Sequence, residues 1–279
     1  MELTVVGCSG STSGPDSPAS CYLLRAPYQG RTYTLVMDLG PGAFGALYRY
    51  LDDPKEVDAI ALSHLHPDHC LDMCAFYVGA QYSATAPWPT QAVYGPRGAG
   101  QRLAAAYEVA SVDPGPTEPE PSIADHFDYH EWQPEQQIGP FDVRTVRVDH
   151  PVETYALRVQ ERAADNGMPA SMVFSGDTGP CDQLIELARD VDLLLVEAAF
   201  LHRSDNPTGI HLSGRQAAEI GQAAGVGEVV LTHIPPWHDP QAVLREATPY
   251  STAPVALAAS GARWTIGRTS AEGTSSVAR

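Results

Sequence analysis

Ser63-His64-Leu65-His66-Pro67-Asp68-His69 decides the fold of this chain. Three imidazoles and a carboxylate fall between His64 and His69, directly after the apolar run of residues 57–62. A β-strand that ends here feeds a short loop. Alternate residues of an extended backbone point the same way, so His64 and His66 can converge on one ion. Asp68 and His69 lie past the turn, within reach of a second ion beside the first. A single histidine in a loop is ordinarily a solvated side chain or a strand-end hydrogen-bond partner, but four ligand-type residues at H-x-H-x-D-H spacing have the density of a metal site.

Working outward, other strands end on the same kind of residue. Residues 142–148 alternate and run into Asp149-His150-Pro151, with 155–160 as the hairpin partner. Residues 171–174 end in Ser175-Gly176-Asp177-Thr178-Gly179, residues 191–196 end in Glu197, and 228–231 deliver Thr232-His233. Candidates just past strand C-termini are what a crevice at the end of an α/β sheet requires. Upstream, residues 2–6, 20–26 and 32–38 read as an opening β-meander, and Asp38 at the end of the third strand is placed to orient a metal-ligating histidine. Helices are expected over 43–51, 71–81, 101–110 and 181–189, and a strand over 91–94. Ser213 and Gln216 make a capping box for a helix that follows His211-Leu212 and stops at Gly225.

The loops are less informative. Residues 7–20, rich in Gly and Pro, form either a plain connection or a substrate-side loop. Residues 111–122 carry Pro114, Pro116, Pro119 and Pro121, which rule out regular structure and leave either an active-site flap or inert surface. His126 and His130 read as surface or packing residues. Residues 268–279 read as a disordered tail, so that the folded unit is 1–267.

A length of 279 residues with 43% hydrophobic content is ample for a large core. Seventeen Lys and Arg against 34 Asp and Glu give a net charge of −17. That argues against a broad basic footprint for large nucleic acids or an acidic membrane, and leaves a small anionic substrate held by metals. Cys8, Cys21, Cys70, Cys74 and Cys181 are odd in number and scattered, as expected of reduced thiols in a cytoplasmic protein. Cys70 and Cys74 read as buried thiols behind the site rather than ligands. The opening residues form a strand rather than a targeting leader, and no apolar run reaches the roughly 18 residues of a membrane span.

The H-x-H-x-D-H motif resembles the signature of the metallo-β-lactamase superfamily, whose fold is a four-layer αβ/βα sandwich. The resemblance implies a first metal held by His64, His66 and His150, a second by Asp68, His69 and His233, and Asp177 between them, with Asp68 also serving the reaction. It implies two zinc ions, with manganese or iron as alternatives, and hydrolysis by a hydroxide shared between them. The segments from His150 to Tyr155, Ser175 to Thr178, Glu197 to Phe200, His211 to Ser213 and Thr232-His233 are similar to the RNase Z-like branch of that superfamily. There the histidine that opens the late helix is the general acid and the preceding strand-end glutamate is its partner, which implies those roles for His211 and Glu197. Only 26 residues separate His150 from Asp177, too few for a tRNA-gripping arm, and the first loop is not basic.

Stretches such as Val6-Gly7-Cys8-Ser9-Gly10-Ser11 and Leu231-Thr232-His233-Ile234-Pro235-Pro236-Trp237 are similar to actinobacterial members of the branch that include atypical cyclic-nucleotide phosphodiesterases. The expected protein is therefore a cytoplasmic binuclear phosphodiesterase acting on a small phosphodiester such as cyclic AMP, with a dimetal hydrolase of a carboxylic ester, thioester or amide as the alternative; tRNA cleavage and a non-catalytic metal-binding role are the remaining readings. The resemblance also implies a homodimer. Trp237 is expected either to stack on a purine or to pack in the core.

Overall fold

The computed structural model describes residues 1–108, 122–162 and 169–267. The expected flap at 111–122, apart from Ser122, and the expected tail at 268–279 lie outside the described residues. The first half of the chain supplies β1 (Glu2–Gly7), β2 (Cys21–Tyr28), β3 (Arg31–Met37), β4 (Ala59–Ala61), β5 (Ala92–Gly95) and β6 (Asp128–Glu131). The second half supplies β7 (Glu135–Ile138), β8 (Phe141–Arg147), β9 (Tyr155–Glu161), β10 (Ser171–Phe174), β11 (Leu193–Glu197), β12 (Val229–Thr232) and β13 (Val255–Leu257), and the chain returns through β14 (Arg263–Thr265).

Two seven-stranded sheets result. One runs β14-β1-β2-β3-β4-β5-β6, the other β13-β12-β11-β10-β9-β8-β7. In each, antiparallel pairing of the opening strands gives way to parallel pairing, from β3 to β6 in the first sheet and from β10 to β13 in the second. Parallel neighbours need crossovers, and those crossovers are helical. They are α1 (Ala43–Leu47), α2 (Pro67–Cys70), α3 (Asp72–Tyr82), α4 (Ala99–Tyr107) and α5 (Ile123–His126) on the first sheet, and α6 (Asp182–Leu187), α7 (Gly214–Ala224) and α8 (Pro240–Ala247) on the second.

Alternation along the strands explains the layering. In β8, Phe141, Val143 and Thr145 are buried while Asp142 and Arg144 are exposed, the pattern of a strand with one face on the core. Inward residues of both sheets meet in one core, where Tyr22 of β2 lies 5.1 Å from Phe174 of β10 and Tyr33 of β3 lies 6.2 Å from Phe141 of β8, centroid to centroid. A second cluster packs α1 and α3 on the outside of the first sheet, and a third packs α6, α7 and α8 on the outside of the other. Helices, sheet, sheet, helices: this is the expected four-layer αβ/βα sandwich. Truncating a core aromatic such as Phe141 to Ala should cost about 3–5 kcal/mol.

Several elements differ from the sequence-based expectation. The helix at 43–51 stops at Leu47, and residues 48–50 are turn. The strand at 57–62 is paired only over Ala59–Ala61. The capping box of α7 forms as expected, with Ser213 and Gln216 bonding reciprocally and Gly225 closing the helix at φ 68°. Among the described residues no helix is long and apolar enough to cross a membrane.

Candidate active site

Every candidate residue sits at the end of a strand or opens a helix on one crevice. His64 and His66 follow β4; Pro67 at the first position of α2 turns the chain so that Asp68 and His69 face back. His150 follows β8, Asp177 follows β10, Glu197 ends β11 and His233 follows β12. His211 stands just before α7. Asp38 (φ 56°), Gly176 (φ 57°) and His233 (φ 55°) all bend through the left-handed region as their strands end. For the two residues with side chains this conformation costs about 1–3 kcal/mol, which the surrounding structure must impose.

Two donor sets form. The Nε2 atoms of His64 and His150 each lie 3.1 Å from His66 Nδ1. Asp68, His69, Asp177 and His233 form the second set, all buried, with His69 Nε2 3.1 Å from His233 Nε2 and Asp68 Oδ2 3.1 Å from the same nitrogen. Asp177 lies between them: Oδ1 is 3.3 Å from His69 Nε2, and Oδ2 is 3.4 Å from His233 Nε2 and 3.7 Å from His64 Nε2.

These residues fit divalent ions. His150 Nδ1 donates to the Ile210 carbonyl at 2.8 Å and His69 Nδ1 to Asp38 Oδ2 at 2.7 Å, so in the neutral rings both Nε2 lone pairs face inward. Inward lone pairs packed nitrogen against nitrogen repel unless a cation sits among them. Tetrahedral zinc, with Zn–N of about 2.0–2.1 Å, sets neighbouring nitrogens roughly 3.3 Å apart, close to the spacing here. The mixture of imidazole and carboxylate suits zinc, manganese or iron.

Electrostatics separates the sets. Burial and neighbouring imidazoles push His64 well below the usual histidine range and lower His66; burial also lowers His150, against the pull of Asp177. The first set is thus neutral and ready to ligate. Burial opposes the charge on His69 too, but Asp177 and Asp38 overcome it and hold this ring well above its ordinary value. Asp68 is depressed despite burial by hydrogen bonds from His233 and His69, and Asp177 is depressed despite burial by the charges of His233 and His69.

His211 joins neither three-histidine geometry nor the carboxylate set directly. Its Nδ1 lies 2.9 Å from Glu197 Oε1 and 3.9 Å from Asp177 Oδ2. Burial would lower this imidazole, but Glu197 raises it to about 9. Burial pushes Glu197 up in turn. The carboxyl nonetheless accepts from the backbone amides of Thr178 (2.7 Å), Ala199 (3.2 Å) and Leu212 (3.3 Å), and donors of that kind favour the ionised form. Glu197 and His211, with His233, also make a third group of metal-capable side chains.

All seven expected ligands and both members of the expected acid pair are therefore brought together. Asp38 orients His69 as expected. Cys70 is buried and its Sγ donates to the His66 carbonyl at 3.3 Å, so it stands behind the site, and all five cysteines are free thiols. His130 lies on exposed β6 beside Asp128, and His126 packs against Tyr77.

Trp237 is a correction to core packing: it is 65% exposed, in the turn after His233. Loop 7–20 packs against the His233 end of the site. Gly10 N donates to the Ile234 carbonyl at 3.2 Å, and Ser11 N, at φ 62°, reaches His233 Nε2 at 3.3 Å. Two glycines permit this approach: a Cβ on Gly10 would lie 2.1 Å from the His233 carbonyl oxygen, and one on Gly40 1.9 Å from that of Asp68. Ser63, Ser11 and the Ile210 carbonyl were not anticipated. Ser63 had one signal, its position immediately before the first candidate ligand.

A family model described as the Beta-lactamase superfamily domain matches residues 33–234. The uncharacterized protein Rv1339 of Mycobacterium tuberculosis is 43% identical over 257 residues, covering 91% of this chain and 88% of that protein. The probable metallo-hydrolase YhfI of Bacillus subtilis is 27% identical over 267 residues, covering 95% of this chain and 99% of that protein. The crystal structure of YhfI superposes with a TM-score of 0.77, covering 94% of this chain and 98% of that one at 26% identity. The short form of human tRNase Z superposes with a TM-score of 0.67 at 18% identity, over 96% of this chain and 100% of that one, a likeness of fold.

Proposed function

The chain belongs to the Beta-lactamase superfamily domain family, and from that premise we propose that it is a binuclear metal-dependent phosphodiesterase acting on a small phosphodiester, with cyclic AMP as the candidate substrate. Metal-dependent hydrolysis is the coarser part of this reading and rests on family membership, on similarity to a probable metallo-hydrolase and on the two donor sets. The finer part rests on one observation: His211 Nδ1 is 2.9 Å from a buried glutamate, at the edge of those sets.

His64, His66 and His150 would hold one ion and Asp68, His69 and His233 the other, with Asp177 between them. Zinc is the proposed metal. Two bound divalent cations would supply a water of lowered pKa and polarise the group under attack. The chain's own residues do the rest. Glu197 fixes the ring of His211 through Nδ1 and favours its protonated form, so Nε2 is the nitrogen left to carry a transferable proton. An alkoxide leaving from phosphorus needs such a donor, whereas a good leaving group does not. Asp38 keeps the His69 ring aimed, and Ile210 does the same for His150.

Small size of the substrate follows from charge. A chain at −17 has little attraction for a polyanion away from its metals, while a single phosphodiester needs only the ions and a place for its base. The exposed Trp237 indole is the proposed stacking surface for that base. The metal-loaded protein should be assayed against cyclic AMP, bis-p-nitrophenyl phosphate, p-nitrophenyl carboxylic esters and a tRNA precursor. Opening of cyclic AMP to a nucleoside monophosphate without tRNA cleavage supports the proposal. Turnover of the carboxylic esters with no cyclic nucleotide opened would replace it with a carbonyl hydrolase.

A further inference from the structure

We propose that Ser63 is a positioning residue that ties His64 to His69 through Asp38, so that one buried carboxylate sets the tautomer of a donor in each half of the centre. The inference rests on reading the two donor sets as metal sites. Asp38 Oδ1 accepts from Ser63 N at 2.7 Å; its Oδ2 accepts from Ser63 Oγ at 2.8 Å and from His69 Nδ1 at 2.7 Å. Ser63 Oγ in turn lies 3.0 Å from His64 Nδ1.

The directions follow from counting protons. A serine hydroxyl carries one proton and an ionised carboxylate carries none. The Ser63 proton therefore goes to Asp38, and Ser63 Oγ has only lone pairs left for His64, which must bring an Nδ1–H. His69 must likewise bring an Nδ1–H. Both rings then turn Nε2 into the donor sets, where His64 Nε2 is 3.1 Å from His66 Nδ1 and His69 Nε2 is 3.1 Å from His233 Nε2. Asp38, Ser63 and His64 are 0% exposed and His69 is 1% exposed, so solvent does not compete for these bonds.

Ser63 is itself clamped between the halves of the fold. Its carbonyl accepts from Tyr155 N at 3.0 Å, and its Cβ lies 3.1 Å from where a Cβ on Gly176 would stand. The hydroxyl is thus fixed at the place where the first sheet meets the second. His64 belongs to one donor set and His69 to the other, so orientation of the two sets is shared through a single serine.

The test combines tautomer and metal measurements on the full chain. In metal-free protein, ring ¹⁵N shifts should report an Nδ1–H tautomer for His64, and Ser63→Ala should change that pattern while leaving the His69 ring as it is. In zinc titrations against a competing chelator, Ser63→Ala should weaken the first site by about 10- to 100-fold, the usual worth of an outer-shell partner, with the second site changed by less than roughly threefold. Asp38→Asn should weaken both. Ser63→Ala added to Asp38→Asn should cost the first site little more, because the two residues act in one chain of bonds. An Nε2–H tautomer for His64, an unchanged first site in Ser63→Ala, equal losses at both sites, or additive losses in the double variant would overturn the proposal. A wild-type protein that takes up no metal would instead overturn the reading of the donor sets, and this inference with it.

Discussion

Glu197 Oε1 stands 2.9 Å from His211 Nδ1, with the glutamate side chain 1% exposed and the histidine 14% exposed. Three backbone amides complete the carboxylate's hydrogen bonding, so its charge is directed at the imidazole rather than dispersed in water. In the proposed mechanism His211 is the proton donor. His211→Ala should keep both metals while kcat on an alkoxide-leaving substrate falls by about 10²- to 10⁴-fold. A nitrophenolate ester should lose much less. Equal losses on the two substrates, or loss of metal, would remove His211 from the acid role.

The same pair predicts a pH dependence. The folded-state value of His211 is raised to about 9, above the ordinary histidine value. The protonated acid is therefore fully present at low pH and is lost as pH rises through the folded value. Bound cations push the imidazole downward, so the alkaline limb should fall at or below that value. Glu197→Gln removes the charge that raises His211, and should move this limb to lower pH for alkoxide-leaving substrates only. A limb that stays in place would show that another group is titrating.

Metal content separates the roles of the carboxylates. Asp177 contacts His64 of one set and His69 and His233 of the other. Asp177→Ala should disturb both sites and abolish hydrolysis, whereas His233→Ala should weaken chiefly the second site. Elemental analysis should find about two metals per native chain, the stoichiometry of a two-metal hydrolase; one or none in protein purified without chelator would sink the binuclear model.

Much of this centre is legible in the sequence because its candidate ligands follow buried strands, and buried strands announce themselves. Leu193–Glu197 and Val229–Thr232 are apolar on both faces, as parallel strands under helices are, so their ends could be located to within a residue or two. Edge strands carry no such signal. Asp128–Glu131 and Glu135–Ile138 are mostly polar and largely exposed, and neither was foreseen. Short pairings such as Val255–Leu257 and Arg263–Thr265 depend on the long-range partners β12 and β1, which no local pattern encodes. The hydrogen-bonding partners behind the ligands were hidden for a related reason. Ile210 acts through its carbonyl and Ser11 through its amide, and every residue type has those groups.

Gly40 tests how tightly the ligand loop is held. A Cβ there would stand 1.9 Å from the Asp68 carbonyl oxygen, which is backbone and cannot swing aside. Gly40→Ala should lower stability by about 1–3 kcal/mol, the scale of overpacking, and should displace Asp68 and His69 together. Thermal unfolding and metal titration measure the two effects separately. A variant with native stability and a native second site would show that the loop yields at little cost.

Trp237 carries the substrate prediction. Its indole is 65% exposed, so truncation removes almost no core packing and Trp237→Ala should leave stability nearly unchanged. The turn that bears it follows His233 directly and is pinned to the first loop, where Gly10 N bonds the Ile234 carbonyl and Ser11 N reaches His233 Nε2. An aromatic face held there can stack on a base, an interaction worth about 1–3 kcal/mol. KM for cyclic AMP should then rise by roughly 5- to 150-fold in Trp237→Ala, since each 1.4 kcal/mol is a factor of ten. Bis-p-nitrophenyl phosphate, which has no purine, supplies the contrast: its kcat/KM should change less. A KM for cyclic AMP that does not move, measured on a variant with native stability and metal content, would leave the base to some other surface and remove Trp237 from the site.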